Sequence, residues 1–363
     1  MKKIIASIFA GLCLMTSCEK YETVKTVDTD FVRNYEAFWN MVNENYCFLG
    51  TAYGNSKNVD WQAVYDKWMP IVKNEVKDEY ELFNIIGLSL DVLRDGHIWM
   101  KSDFKRYQNN AYLLMPDGET MYSPNYKAGL VRECYFNLAT DKDDYKGDKM
   151  FRTINGYPYG IIERDGKKIA YIYYDSFDKE PKQEDMKRLD PIVQEADALI
   201  LDIRNNPGGA ALAGLTFAGH FFKEKTHVAY DAFKNGTGHD DFSEPTMTYV
   251  IPSPKYNWAD KQTALLIDRE VYSTANLFTC ILKQAPNVTV VGQISGGGGG
   301  LPMSHYLPNG WDLVFASNIL LDQNMKHIEG GIEPDVPAQI GDYETTKKDG
   351  VVEKAIEELL KKI

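Results

Sequence analysis

The run Ala198-Leu-Ile-Leu-Asp-Ile203 constrains this chain more than any other stretch. It is apolar without alternation, so a strand made from it must be covered on both faces. Parallel sheets buried between layers of helices provide that cover. Its neighbours fit the same arrangement. Lys168–Tyr174 reads as a strand and Lys182–Glu195 as a helix, and a second helix is expected over Leu212–Phe222. Thr263–Ile267 is another strand, followed by a helix at Ala275–Gln284 and a strand at Val288–Val291. Strand–helix alternation predicts an α/β domain with a central, largely parallel sheet. Further strands are expected near Trp311–Ala316 and Asn318–Leu321, and a last helix at Val351–Lys362.

The first third of the chain has a different period. Phe31, Tyr35, Phe38, Trp39 and Val42 form one helical stripe. Trp61, Val64, Tyr65 and Trp68 form a second, entered from Asp60 as an N-cap. Leu82, Ile85, Ile86, Leu88, Leu90 and Leu93 form a third. Residues 30–97 therefore read as a helical N-terminal module. Residues 98–166 are Tyr-rich and broken by Pro116-Asp117-Gly118, Ser123-Pro124-Asn125 and Asn155-Gly156, a pattern of short strands and turns. The α/β domain is expected over 167–363.

The N-terminus reads as an address. Lys2-Lys3 precedes the short apolar stretch Ile4–Leu14 and then Met15-Thr16-Ser17-Cys18. Residues 1–17 resemble a lipoprotein signal peptide with Cys18 as the lipidated residue, the alternative being an ordinary secretory signal with an incidental cysteine. Residues 18–29 then form a polar tether to a membrane surface. The expected location is a bacterial cell envelope, with an outer membrane or periplasmic face favoured. A formal net charge of −12 argues against a nucleic-acid partner. Cys47, Cys134 and Cys280 make no disulfide framework, and no CxxC or HxxxH pair suggests zinc.

Four stretches could carry chemistry. Asp202-Ile-Arg-Asn-Asn-Pro-Gly-Gly209 leaves the buried strand and enters a helix. The backbone amides of Gly208 and Gly209 are thus candidates to hold an oxyanion. Ser273 stands where the strand Thr263–Ile267 gives way to the next helix. It could cap that helix, or it could be a nucleophile presented by it, with the Thr274 amide as another oxyanion donor. A serine nucleophile needs a base. His97 ends the run Leu93-Arg-Asp-Gly-His97 where the helical module meets the next segment, and His305 is its best rival. Glu329, in His327-Ile-Glu-Gly-Gly-Ile-Glu-Pro-Asp335, could orient an imidazole, with Glu333 behind it.

Together these stretches resemble the S41 peptidases, the family of C-terminal processing (tail-specific) proteases and the tricorn core. The resemblance rests on Leu93–His97, Asp202–Gly209, Val271–Asn276 with the glycine run Gly296–Gly300, and Gly330–Asp335, in the family's order. It implies a ClpP/crotonase-like α/β catalytic domain preceded by a helical module. It also implies endopeptidase chemistry through an acyl-enzyme on a peptide or protein substrate, with no metal or organic cofactor. One branch of the family uses a lysine about 25 positions after the serine, a slot that Gly298 fills here. The tricorn-like branch uses a histidine helped by a second serine, and Gly96 fills that serine's slot. The resemblance therefore implies Ser273 with His97, and Glu329 as supporting carboxylate. Met100–Asp165 is too short for the PDZ domain that many members carry. The alternatives are a catalytically inactive member binding peptide, glycan or lipid, and a nonproteolytic acyl hydrolase.

Overall fold

The computed structural model describes residues 27–53, 57–115, 117–136, 152–154, 157–178 and 181–363. The signal peptide, Cys18 and most of the tether lie outside the described residues. Asp28, expected in the tether, is bound instead: it accepts hydrogen bonds from Arg33 and from the Asp30 amide beside the first helix.

Three helices open the chain: α1 (Phe31–Asn45), α2 (Trp61–Asn74) and α3 (Glu79–Asp91). Each begins at an aspartate, Asp30, Asp60 or Asp78, whose side chain accepts a backbone N–H of the first turn. Their apolar stripes converge on Tyr35, Phe38, Trp61, Leu82 and Ile86, all buried. Two short strands follow, β1 (Trp99–Lys101) and β2 (Arg106–Gln108). Helix α4 (Ala128–Tyr135) comes next, in a segment where only strands and turns are expected. It forms because Val131 packs into a buried cluster with Ile169 and Tyr171.

The α/β part contains β3 (Arg152–Ile154), β4 (Tyr157–Arg164), β5 (Lys167–Tyr173), α5 (Gln183–Glu195), β6 (Ala198–Asp202) and α6 (Ala211–Ala218). The helix expected to reach Phe222 stops at Ala218, and the chain tightens into a 3-10 turn over Gly219–Phe221. The rest is β7 (Thr226–Phe233), β8 (Thr246–Val250), β9 (Gln262–Ile267), α7 (Thr274–Leu282), β10 (Val288–Gly292), β11 (Pro302–Tyr306), β12 (Asp312–Ala316), β13 (Asn318–Asp322), β14 (Val336–Pro337), α8 (Tyr343–Thr346) and α9 (Gly350–Leu360).

Seven strands build the main sheet in the order β14-β10-β9-β6-β5-β4-β3. The stretch from β14 to β5 is parallel, and β4 and β3 add an antiparallel edge. All five residues of β6 are buried, as its unbroken apolar run requires. One face packs on α5, α6 and α7, and the other on α4 and α9.

A second, antiparallel sheet has the order β11-β12-β1-β2 and joins the two parts. Trp99, two residues after His97, lies opposite Val314 of β12. Leu313 and Phe315 of β12 share one buried cluster with Leu90, Ile98 and the helical stripes. The helical module is thus packed onto the α/β part through a common core, which fixes where the turn carrying His97 must lie.

Candidate active site

Parallel strands deliver their C-terminal ends to one edge of a sheet, and the turns that leave β6 and β9 are neighbours there. The β6 turn runs Ile203–Ala210 and the β9 turn Asp268–Ser273. They are tied together: Tyr272 N–H donates to Asn206 O at 3.0 Å, and Asn205 N–H to Asp268 Oδ1 at 2.9 Å. Gly208, at φ 102°, approaches Ser273 so closely that a Cβ there would lie 2.9 Å from Ser273 Cβ and 2.8 Å from Thr274 N. Only a residue without a side chain permits that approach.

Ser273 is half-buried at the start of α7, with φ 56° and ψ −122°. It accepts none of the α7 amides through its side chain, so it is not a side-chain cap. Its amide donates to Gly297 O at 2.9 Å, and its hydroxyl lies 2.9 Å from His97 Nε2. A non-glycine residue at this φ is strained, and such strain collects at functional sites. A sharp turn between strand and helix that holds a serine Oγ beside a histidine has the geometry of a nucleophile elbow.

Gly208 N–H donates to Asn206 Oδ1 at 2.9 Å. This corrects the expectation that Gly208 offers a free oxyanion donor, since the asparagine of the turn consumes it. Among the described residues, nothing accepts the amides of Gly209 or Thr274. Thr274 Oγ1 donates to Gly209 O, which locks the two segments side by side.

His97 is half-buried, and its ring lies 5.0 Å from the Tyr272 ring at 61°. Burial pushes its imidazole below the ordinary histidine range; Lys57 acts the same way and Asp95 against both. The ring is therefore neutral at pH 7 and able to take a proton. Its Nδ1 is buried and has no hydrogen-bond partner among the described residues.

Glu329 does not orient that ring. Its Oε1 pairs with Lys57 Nζ at 2.5 Å and its Oε2 accepts Gly299 N–H at 2.7 Å. Burial raises its carboxyl to about 7, with Lys57 opposing and Asp95 adding to the rise. Lys57, from the loop between α1 and α2, had no signal in the sequence as a site residue. Glu333 is exposed. The rival His305 lies on β11, stacked on Phe315 at 4.2 Å.

The two departures from the resemblance have a steric cause. A Cβ at Gly96 would lie 2.7 Å from Tyr112 Cε1 and 3.0 Å from Tyr272 Cζ. A Cβ at Gly298 would lie 2.7 Å from the Tyr272 ring and 2.9 Å from Ser273 N. The aromatic rings occupy the space that a helper serine or a dyad lysine would need.

Residues 168–338 match the model of peptidase family S41, and residues 28–90 match that of the tricorn protease C1 domain. The crystal structure of a candidate peptidase from Parabacteroides merdae is 33% identical, over 92% of this chain and 98% of that one, with a TM-score of 0.79. The chain belongs to peptidase family S41. The carboxy-terminal processing protease CtpA of Bacillus subtilis (strain 168) is 25% identical over 184 residues, 50% of this chain and 37% of that protein. The chain spans about a third of the length of the curated relatives it matches. Mature CPAF, 10% identical with a TM-score of 0.63 over 91% of this chain and 96% of its own, has the same fold. That fold is the ClpP/crotonase-like α/β arrangement, here preceded by the helical module.

Proposed function

We propose that this S41 member is a serine endopeptidase, held at a bacterial cell envelope by a lipid on Cys18, that cleaves peptides or proteins through an acyl-enzyme. The observation that carries the reading is the 2.9 Å separation of Ser273 Oγ and His97 Nε2 across 176 residues of sequence. In the first step His97 Nε2 takes the hydroxyl proton as Oγ bonds to the peptide carbonyl carbon. The resulting oxyanion is held by the Gly209 and Thr274 amides, each worth about 3–4 kcal/mol in such a position. As the C–N bond breaks, the imidazolium returns its proton to the leaving amine. Water then attacks the ester with His97 again as base, and the acid leaves. No metal or organic cofactor takes part.

The second reading is a member that binds peptide, glycan or lipid without cleaving it. The unpartnered His97 Nδ1 and the diversion of Glu329 to Lys57 favour it. Cleavage of unfolded casein by the purified full-length protein separates the two. The peptidase reading expects turnover that Ser273→Ala abolishes while the Tm stays within a degree or two. Equal turnover by wild type and Ser273→Ala, or none by either, contradicts it.

A further inference from the structure

In the arrangement described above, the base has no acid on its far nitrogen, yet a buried carboxylate stands next to it in the chain. Asp95 is fully buried, two residues before His97. Its Oδ2 accepts Tyr46 O–H at 2.9 Å. Its Oδ1 accepts Tyr272 O–H at 3.0 Å and the His97 backbone N–H at 2.8 Å. These donors come from three separate parts of the fold: the end of α1, the residue before the nucleophile, and the turn that carries the base.

We propose that Asp95 is the positioning residue of this site: it fixes His97 against Ser273 by binding the His97 main chain and the Tyr272 hydroxyl at once, and its charge supports the imidazolium. The proposal rests on the peptidase reading and names the carboxylate that serves it, in the role expected of Glu329. Asp95 touches neither the imidazole nitrogens nor the hydroxyl, so it acts through its neighbours.

Three features carry the assignment. First, Tyr272 is the residue before Ser273, and its ring lies against the His97 ring, so tethering its hydroxyl also sets the imidazole's wall. Second, the Tyr112 and Tyr272 rings fill the space beside Gly96, leaving no room there for the side chain of a helper serine. Third, a carboxylate with both oxygens bonded to donors stays ionised even when buried. Burial raises the Asp95 carboxyl, but Lys57, His97 and the His97 amide together bring it below the usual range. The charged groups around the ring are then Asp95 on its own turn and Lys57 from the α1–α2 loop. Tyr272 faces the ring from the nucleophile segment, while Tyr46 donates to Asp95 and Glu329 interacts with it electrostatically. Asp95 and Lys57 pull the imidazole in opposite directions, so removing the Asp95 charge leaves Lys57 unopposed.

The test is the rate of fluorophosphonate labelling of the full-length chain from pH 5 to 9. Asp95→Asn keeps the size and one acceptor but removes the charge. The expected result is a plateau at least about tenfold lower, from loss of alignment. The rising limb should also move to lower pH by about one unit, because the imidazolium has lost its anion. A merely structural role would lower the plateau in proportion to folded protein and leave the limb in place; that result overturns the proposal. If Asp95→Asn does not fold, Tyr272→Phe decides. It keeps the charge and removes only the tether, so a plateau lower than the folded fraction accounts for, with the limb unmoved, supports the proposal, and a rate proportional to folded protein overturns it. Wild-type protein that takes up no probe overturns both this proposal and the peptidase reading. Normal wild-type labelling with an unchanged Asp95→Asn profile overturns this proposal alone.

Discussion

Ser273 holds its φ of 56° because its surroundings over-determine it: its amide is bonded to Gly297, its carbonyl to the Leu277 amide, and the preceding amide to Asn206. Such a conformation costs about 1–3 kcal/mol in a residue with a Cβ and little in glycine. Ser273→Gly should therefore end labelling yet raise the unfolding free energy by about 1 kcal/mol, a gain of a few degrees in Tm by calorimetry. A lower Tm would show that no strain is stored there. Asp268 is another residue held against its preference. One of its carboxylate oxygens is buried with no partner among the described residues, and burial raises the carboxyl to about 7 from an ordinary 3.8. The folded state thus keeps a proton that the unfolded state loses, so the group favours folding below pH 4 and that contribution is gone once the pH passes about 7. Relative to wild type, Asp268→Asn should gain up to about 4 kcal/mol between pH 4 and pH 8 in urea titrations. A constant difference across that range would contradict the assignment. Of these residue-scale features, the candidates Ser273 and His97 were legible from their places at a strand–helix junction and a module boundary. The diversion of Gly208 and Glu329 was not, because Asn206 and Lys57 act through contacts that no spacing encodes.

Among the elements, those with a strong helical period or an unbroken apolar run were legible: the three N-terminal helices, β5, β6, β9, α5 and α7. The missed ones lack that signal. Strand β7 has a register irregularity between His227 and Ala229, so its buried residues do not alternate. Strand β11 starts at Pro302 and leaves Met303 and Tyr306 exposed, so nothing in it reads as a buried face. Helix α4 has only eight residues and no side-chain cap, and it is held by tertiary packing rather than propensity. The last helix was readable, but not what fastens it. Asp349 caps α9 through the amides of Val351 and Val352, and it also binds Arg204, which pairs with Asp202 at the end of β6. All three side chains are fully buried. Removing one partner of a buried ion group strands the other's charge, at about 3–5 kcal/mol. Asp349→Ala should lose about that much stability in denaturant unfolding, whereas a loss under 1 kcal/mol would mean the clamp is not needed.

At the scale of the whole molecule, the sequence divides into a helical part and an α/β part, and that division is visible in the change of hydrophobic period near residue 97. What period cannot show is how the parts are joined. The join is the sheet β11-β12-β1-β2, whose first two strands lie about 200 residues beyond the last two. Its register sets His97 beside Ser273, so in the proposed mechanism one half supplies the base and the other the nucleophile and the oxyanion amides. The boundary expected at residue 167 falls inside the main sheet, because β4 pairs with β5 across a two-residue turn. The central claim is that these halves form one catalytic centre. The most direct measurement is peptide mapping, by mass spectrometry, of the full-length chain after fluorophosphonate treatment. The expected result is one adduct, on Ser273, absent from Ser273→Ala and at least about a hundredfold slower to form in His97→Ala. No adduct on the wild type, or an adduct on Ser273 that forms as fast without His97, would contradict it.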